Sequence, residues 1–110
     1  MSKFVATRNK GFAMTFDNNY TVSVQWGTEN YCEKKHTTIH PTDPMEHKRW
    51  DSLSAELAVF DDEEMINISC DGIDAVIGWL GTEDVAKVIA IVSSTKSVEE
   101  IQTKIKSLGL

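Results

Sequence analysis

Residues 11–26 read GFAMTFDNNYTVSVQW, and the register within this stretch decides the fold. Residues 12–16 (FAMTF) and 20–26 (YTVSVQW) alternate apolar and polar side chains, the period of a half-buried strand. Asp17-Asn18-Asn19 lies between them. Residues directly opposite in an antiparallel hairpin point to the same face. A two-residue loop would set Phe16 against Thr21 and Met14 against Ser23, mixing the two faces. A three-residue loop sets Phe16 against Tyr20, Met14 against Val22 and Phe12 against Val24, which gives one apolar face. That loop needs a left-handed residue at its end, and Asn19 tolerates the conformation. The pattern therefore predicts a three-residue loop. Lys3–Thr7 reads as an added edge strand before Gly11.

The same test extends downstream. Residues 54–60 (SAELAVF) alternate, with Ala55, Leu57 and Val59 on one side. Asp61-Asp62-Glu63-Glu64 reads as a polar turn, followed by 65–70 (MINISC), Asp71-Gly72 and 73–80 (IDAVIGWL). Asp-Gly is a strong hairpin signal. Pairing across it sets Cys70 against Ile73, Ile68 against Ala75 and Ile66 against Ile77. Pairing across the acidic turn sets Val59 against Ile66 and Leu57 against Ile68, so three strands share one apolar face. Gly81-Thr82-Glu83-Asp84 opens a helix, with Thr82 as its expected cap and a stripe of Val85, Val88, Ile89 and Val92. Ser97-Val98-Glu99-Glu100 is a capping box. Its helix is expected to bury Val98, Ile101, Ile105 and Leu108, with Gly109 closing it. Residues 27–53 are irregular, although Asp43-Pro44 suits a short helix start anchored by Met45 and Trp50. The expected fold is one α+β domain over residues 1–110. It has an antiparallel sheet of five to six strands and two C-terminal helices packed on one face.

Bulk properties narrow the class. A chain of 110 residues can bury roughly two-thirds of its unfolded surface without staples. Two cysteines, Cys32 and Cys70, are too few for a disulfide framework. The opening MSKFVATRNK has no apolar signal-peptide region, and no apolar run reaches membrane-spanning length. The expectation is a cytoplasmic protein that does not engage a membrane. The net charge of −6 is unevenly spread. Residues 1–40 carry five basic and three acidic side chains, residues 41–84 carry two and twelve, and residues 85–110 carry four and two. That acidic middle argues against direct binding to nucleic acid, whose phosphates need Lys and Arg. It suits a basic protein partner.

Three constellations invite chemistry. Cys32, His36 and His40 stand four apart, a helical spacing that would suit zinc. Thr37, Thr38 and Ile39 are poor helix formers, and a fourth ligand is not obvious, though His47 or Glu33 would serve. Solvated histidines are the simpler reading. Asp61, Asp62, Glu63 and Glu64 resemble a cation cluster only by charge, since consecutive carboxylates diverge. They read instead as a solvated turn that blocks edge pairing, or as a patch for a basic partner. The third is Trp26-Gly27-Thr28-Glu29-Asn30-Tyr31-Cys32. There an aromatic strand end, a glycine, an amide, a phenol and a thiol follow one another. Trp26, Gly27, Asn30, Tyr31 and Cys32 are the candidate ligand-binding residues, because aromatic faces stack on planar ligands and an amide reads their edges. Packing of Trp26 and edge cover by Tyr31 is the plain alternative. The Gly-containing segments GTEN and GWLGTED match no phosphate-loop pattern. Nothing requires a cofactor or assigns catalytic residues.

The run GFAMTFDNNYTVSVQWGTENYC resembles the opening of small accessory proteins of tailed phages, mainly over residues 11–32. Looser echoes lie in AELAVFDDE (55–63) and GWL (78–80). Asn18-Asn19 stands where Asn-Gly would make the easier turn. The resemblance implies a phage accessory protein in the host cytoplasm and supplies no catalytic residue. The expected function is a small non-enzymatic binding protein that inhibits or sequesters a host defence component. Its partner would be a host protein or a small nucleotide ligand, and the chain could form a homo-oligomer. Two alternatives are a structural or assembly protein of a phage particle, and a metal-assisted enzyme using Cys32, His36 and His40.

Overall fold

The computed structural model describes residues 2–7, 10–27, 30–33, 51–69 and 75–110. The expected α+β architecture is present: a six-stranded antiparallel sheet is followed by two helices. The strands are β1 (Lys3–Thr7), β2 (Gly11–Thr15), β3 (Tyr20–Gln25), β4 (Ala55–Asp61), β5 (Glu64–Ile66) and β6 (Ile77–Leu80). The helices are α1 (Thr82–Ser94) and α2 (Val98–Ser107). The sheet order is β1-β2-β3-β4-β5, and β6 also pairs with β4.

The β2–β3 register is the one that face matching requires. Phe12 opposes Val24 and Met14 opposes Val22. The Phe16 N–H donates to Tyr20 O at 2.9 Å, and Asn19 is left-handed with φ 71°. The loop is therefore three residues long. Asn18 does more than turn the chain. Its Oδ1 accepts the Tyr20 N–H, and its Nδ2 donates to Val92 O and Thr95 O, each at 2.8 Å. A hairpin loop thus satisfies carbonyls that the end of α1 would leave orphaned.

The β4–β5–β6 region differs from the expected meander. Val59 does oppose Ile66, and Asp61 opposes Glu64, so the turn proper is Asp62-Glu63 with Asp62 left-handed at φ 58°. Beyond Ile66 the ladder stops. The expected pairing of 65–70 with 73–80 is replaced by pairing of β6 with β4: Ile77 opposes Leu57 and Leu80 opposes Ala55. β5 and β6 therefore lie end to end along the same edge of β4, with residues 67–76 inserted between them. The reason lies at Asn67. Asn67 Oδ1 accepts the Ser69 N–H, and Asn67 O accepts from Gln102 Nε2 on α2, so the backbone leaves the ladder there. Ile68 then turns into the core, while Ile77 takes the place opposite Leu57. The Asp71-Gly72 turn and the Cys70–Ile73 pair lie outside the described residues, as does the helix start at Asp43-Pro44.

A bulge separates the two β4–β6 pairs, and Trp79 sits there with φ 60°. Strict alternation from Ile77 would send Trp79 inward. The left-handed residue reverses this, so Leu80 is buried and Trp79 is exposed.

One core lies between the sheet and the helices. It joins Val22, Val24, Leu57, Val59, Ile66, Ile68 and Ile77 to Val88, Val92, Ile101 and Ile105. The cap of α1 is Gly81 rather than Thr82, which is already the first helical residue and bonds Glu83 instead. Ser97 caps α2 as expected, its Oγ accepting the Glu100 N–H at 3.2 Å. The return arm of the box reaches the Lys96 N–H rather than that of Ser97. Gly109 closes the helix with φ 74°, but Leu108 is exposed and Leu110 packs on the core in its place.

Candidate functional site

β3 carries its apolar face one residue past the ladder. After Val22 and Val24 comes Trp26, whose N–H donates to Lys10 O at 2.7 Å. Its ring meets Phe12 edge-on, with centroids 6.2 Å apart and planes at 67°. On the far side, α1 starts two residues after β6 and presents Val85, Ala86 and Ile89. Residues 51–54 cross between sheet and helix. The helix and the sheet do not close on each other here, and a cleft of about 630 Å³ remains. Its walls are Phe12, Val24, Trp26, Leu53, Ala55, Leu80 and the α1 residues, and its polar edge is Asp51, Ser52, Ser54 and Thr82. That volume falls in the range of ligand pockets, about 300–1,000 Å³.

The rim is acidic. Asp51 lies on it, and Glu83 and Asp84 follow Thr82 in the first turn of α1. The Thr82 hydroxyl donates to Glu83, which lowers the Glu83 carboxyl below its ordinary range; a hydrogen bond from its own backbone N–H and the charge of Lys87 act in the same direction. An anion would meet these carboxylates at the helix start.

The candidate ligand residues 26–32 divide between the two faces of the sheet. Trp26 lines the cleft. Asn30 and Tyr31 lie against Glu56, which alternates with the core residues Ala55 and Leu57 and so faces the other way. Asn30 Oδ1 accepts the Gly27 N–H at 2.9 Å, and its Nδ2 donates to Glu56 at 3.2 Å. The Tyr31 N–H takes the other Glu56 oxygen at 2.9 Å. The amide expected to read a ligand thus holds the loop. Cys32 is fully buried, with Sγ 3.5 Å from Gly27 O. Gly78 provides the seat for Tyr31: a Cβ there would lie 2.5 Å from the Tyr31 Cβ. The Trp79 N–H donates to Tyr31 O at 2.9 Å. Tyr31 and Trp79 remain as two exposed aromatics on this face. Thr28 and Glu29 lie outside the described residues.

Asp61, Asp62, Glu63 and Glu64 are all exposed at the tip of the β4–β5 hairpin. Ala55 lines the cleft and Asp61 ends the same strand, so the two surfaces are separated by about 20 Å of strand. His36, His40 and His47 lie outside the described residues. Among the described residues, no group of three His, Cys, Asp or Glu side chains is placed to hold a metal. Among the same residues, no helix is long and apolar enough to cross a membrane.

Sequence reasoning pointed to Trp26 but not to the cleft. Phe12, Val85 and Ile89 carry a core pattern, and periodicity does not say where a core is left open. Leu53 was the available signal, an apolar residue set between Ser52 and Ser54, and the structure leaves it 83% exposed. Comparison of the chain with protein-family models, with curated proteins and with solved structures finds no match.

Proposed function

We propose that this chain is a non-enzymatic binding protein, of the kind a tailed phage uses to inhibit or sequester a host defence component in the host cytoplasm. Its target in this reading is a protein, which places an apolar segment in the cleft between Trp26 and α1. The observation that carries the reading is the combination of aromatic and aliphatic walls with an acidic rim. Such walls bury apolar side chains, and carboxylates at the rim favour Lys or Arg flanking them. A nucleotide is the weaker candidate, because its phosphates would meet the carboxylates of Asp51, Glu83 and Asp84 at the described part of the rim. Particle assembly is the other reading of a phage accessory protein, and purified particles containing the chain would favour it.

Native mass spectrometry of the protein recovered from its own host tests the proposal. The expected result is a retained polypeptide that Leu53→Glu releases, since Leu53 stands at the cleft's lip and is free of the core. A retained species of nucleotide mass would overturn it. So would a polypeptide indifferent to Leu53→Glu.

A second reading rests on a separate observation. Asp61 and Glu64 are like charges directly opposite each other, an arrangement that costs the hairpin stability. A basic partner surface docking on the tip would relieve it. Changing Asp61, Asp62, Glu63 and Glu64 to Lys should then abolish capture, and added salt should weaken the wild-type complex.

A further inference from the structure

The two edges of the sheet are built differently. On the β4 side, the edge is broken into β5 and β6, three and four residues long. It carries the acidic tip, a bulge and a left-handed Trp79 whose N–H is already taken by Tyr31 O. Short strands, charges and bulges are the devices that keep an edge from pairing with another chain. β1 at the other end has none of them in its interior. It runs five residues, Lys3-Phe4-Val5-Ala6-Thr7, pairs with β2 without a register shift, and places its single charge at its first position. Phe4 is 79% exposed and Val5 45%. One side of its backbone faces β2, and the other is the end of the sheet among the described residues.

We infer that β1 is a homodimerisation strand, pairing antiparallel with β1 of a second copy about a twofold axis through Val5. The inference follows from the strand's own sequence. An axis that pairs two such edges antiparallel stands perpendicular to the sheet, so each residue keeps its face in both copies. Opposed residues must then share parity. Three such centres engage more than one residue of each strand: Phe4, Val5 and Ala6. Centring on Phe4 or on Ala6 engages only three residues of each strand and sets either two phenylalanines or two alanines face to face. Centring on Val5 engages all five. Phe4 then opposes Ala6 of the other copy, large against small. Lys3 opposes Thr7, with no like charges facing. Val5 opposes Val5, a β-branched pair of the kind sheets favour.

The packing supports this register. Phe4 lies on the helix side of the sheet beside Met14, its partner in β2. The two Phe4 side chains become diagonal neighbours across the axis, within reach of each other. Together with Met14 of each copy they would form a continuous apolar strip beside the half-buried Phe12. Both helical layers fall on the same side, giving one twelve-stranded sheet.

The register can be tested directly by sedimentation of the full chain and by cross-linking. Wild type should dimerise in a concentration-dependent way. Phe4→Lys with Ala6→Lys should weaken self-association by about tenfold or more, because like charges then oppose each other. Phe4→Lys with Ala6→Glu should restore it, since each new cation then faces a new anion across the axis. All of these positions are exposed, so circular dichroism should be unchanged. Under mild oxidation Val5→Cys should cross-link to itself faster than Phe4→Cys, because only position 5 meets its own copy. A monomer at all concentrations overturns the inference. So does a dimer that the double-lysine variant leaves intact, or equal cross-linking at positions 4 and 5. Capture of a different protein that Phe4→Lys releases would give the edge to another occupant and would likewise overturn it.

Discussion

The sheet has a covered half and an open half, although large apolar side chains stand on the helix-facing side of both. In β3 and β4, Val22, Leu57 and Val59 have no exposure at all. In β1, on the same face of the sheet, Phe4 is largely exposed. The difference is one of coverage. Two helices packed side by side span about 20 Å, enough for about four strands at their usual spacing. A sheet five strands across is wider than that. The strands nearest the helices bury their apolar face, and the outermost strand keeps its own exposed. Alternation thus says which face of a strand is apolar, and not whether anything lies on it.

Core truncations should break this contrast most sharply. Ile68→Ala removes a fully buried side chain and is expected to cost about 2–5 kcal/mol, with Ile77→Ala close behind. Phe4→Ala, measured where the chain is monomeric, should stay within about 0.5 kcal/mol of wild type. Urea denaturation of the three variants checks both halves. A loss below about 1 kcal/mol for both isoleucines would mean that the helices cover less than the structure indicates.

Next come the ties that fasten loops to the covered half. Asn18→Asp would aim a carboxylate at the Val92 and Thr95 carbonyls, and should cost about 1–3 kcal/mol. It should cost at least as much as Asn18→Ala, because repulsion is added to the lost bonds. Gly78→Ala presses a methyl group on Tyr31 and should cost a similar amount, about 1–3 kcal/mol. Gly81→Ala meets open space, so its cost should be confined to the weaker cap, about 1 kcal/mol or less. Thermal melts of this set separate docking from capping: equal costs at positions 78 and 81 would show that Tyr31 is not seated on the strand.

The smallest effect should lie on the solvent side of α2. The Glu100 carboxyl is lowered below its ordinary range, first by its hydrogen bond with Lys104 and then by the Lys96 N–H. A carboxylate lowered by folding stabilises the native state above its unfolded pKa, and that contribution disappears as pH falls through the folded value. Glu100→Gln should therefore narrow its gap to wild type as the solution is acidified through the carboxylate range. A gap independent of pH would place the effect in packing instead.

The candidate site was less legible than the strands that frame it. Trp26 stood out because it ends an alternating strand before a glycine. Asn30 stood out as an amide among aromatics, yet Glu56, distant in sequence, claims that amide. The cleft is formed by a strand end, a loop and a helix start, and no local pattern encodes the gap between them. The acidic tip was legible as charge, and the structure adds that Asp61 and Glu64 oppose each other as the last pair of a ladder.

Local chemistry by itself determined the β2–β3 hairpin register, the three-residue loop at 17–19 and the capping box at Ser97. Each depends on neighbours within one turn or one hairpin, where face matching leaves a single solution. Only the tertiary structure decided which strand fills the second half of the β4 edge. The hairpin pattern favoured β5 continuing to Cys70, and face parity accepts either Ile68 or Ile77 opposite Leu57. The observed arrangement buries both isoleucines. With Asn67 bound to Gln102 of α2, Ile68 enters the core and Ile77 completes the ladder, so both are buried. Period cannot distinguish residues of the same parity; the competition between burial sites does.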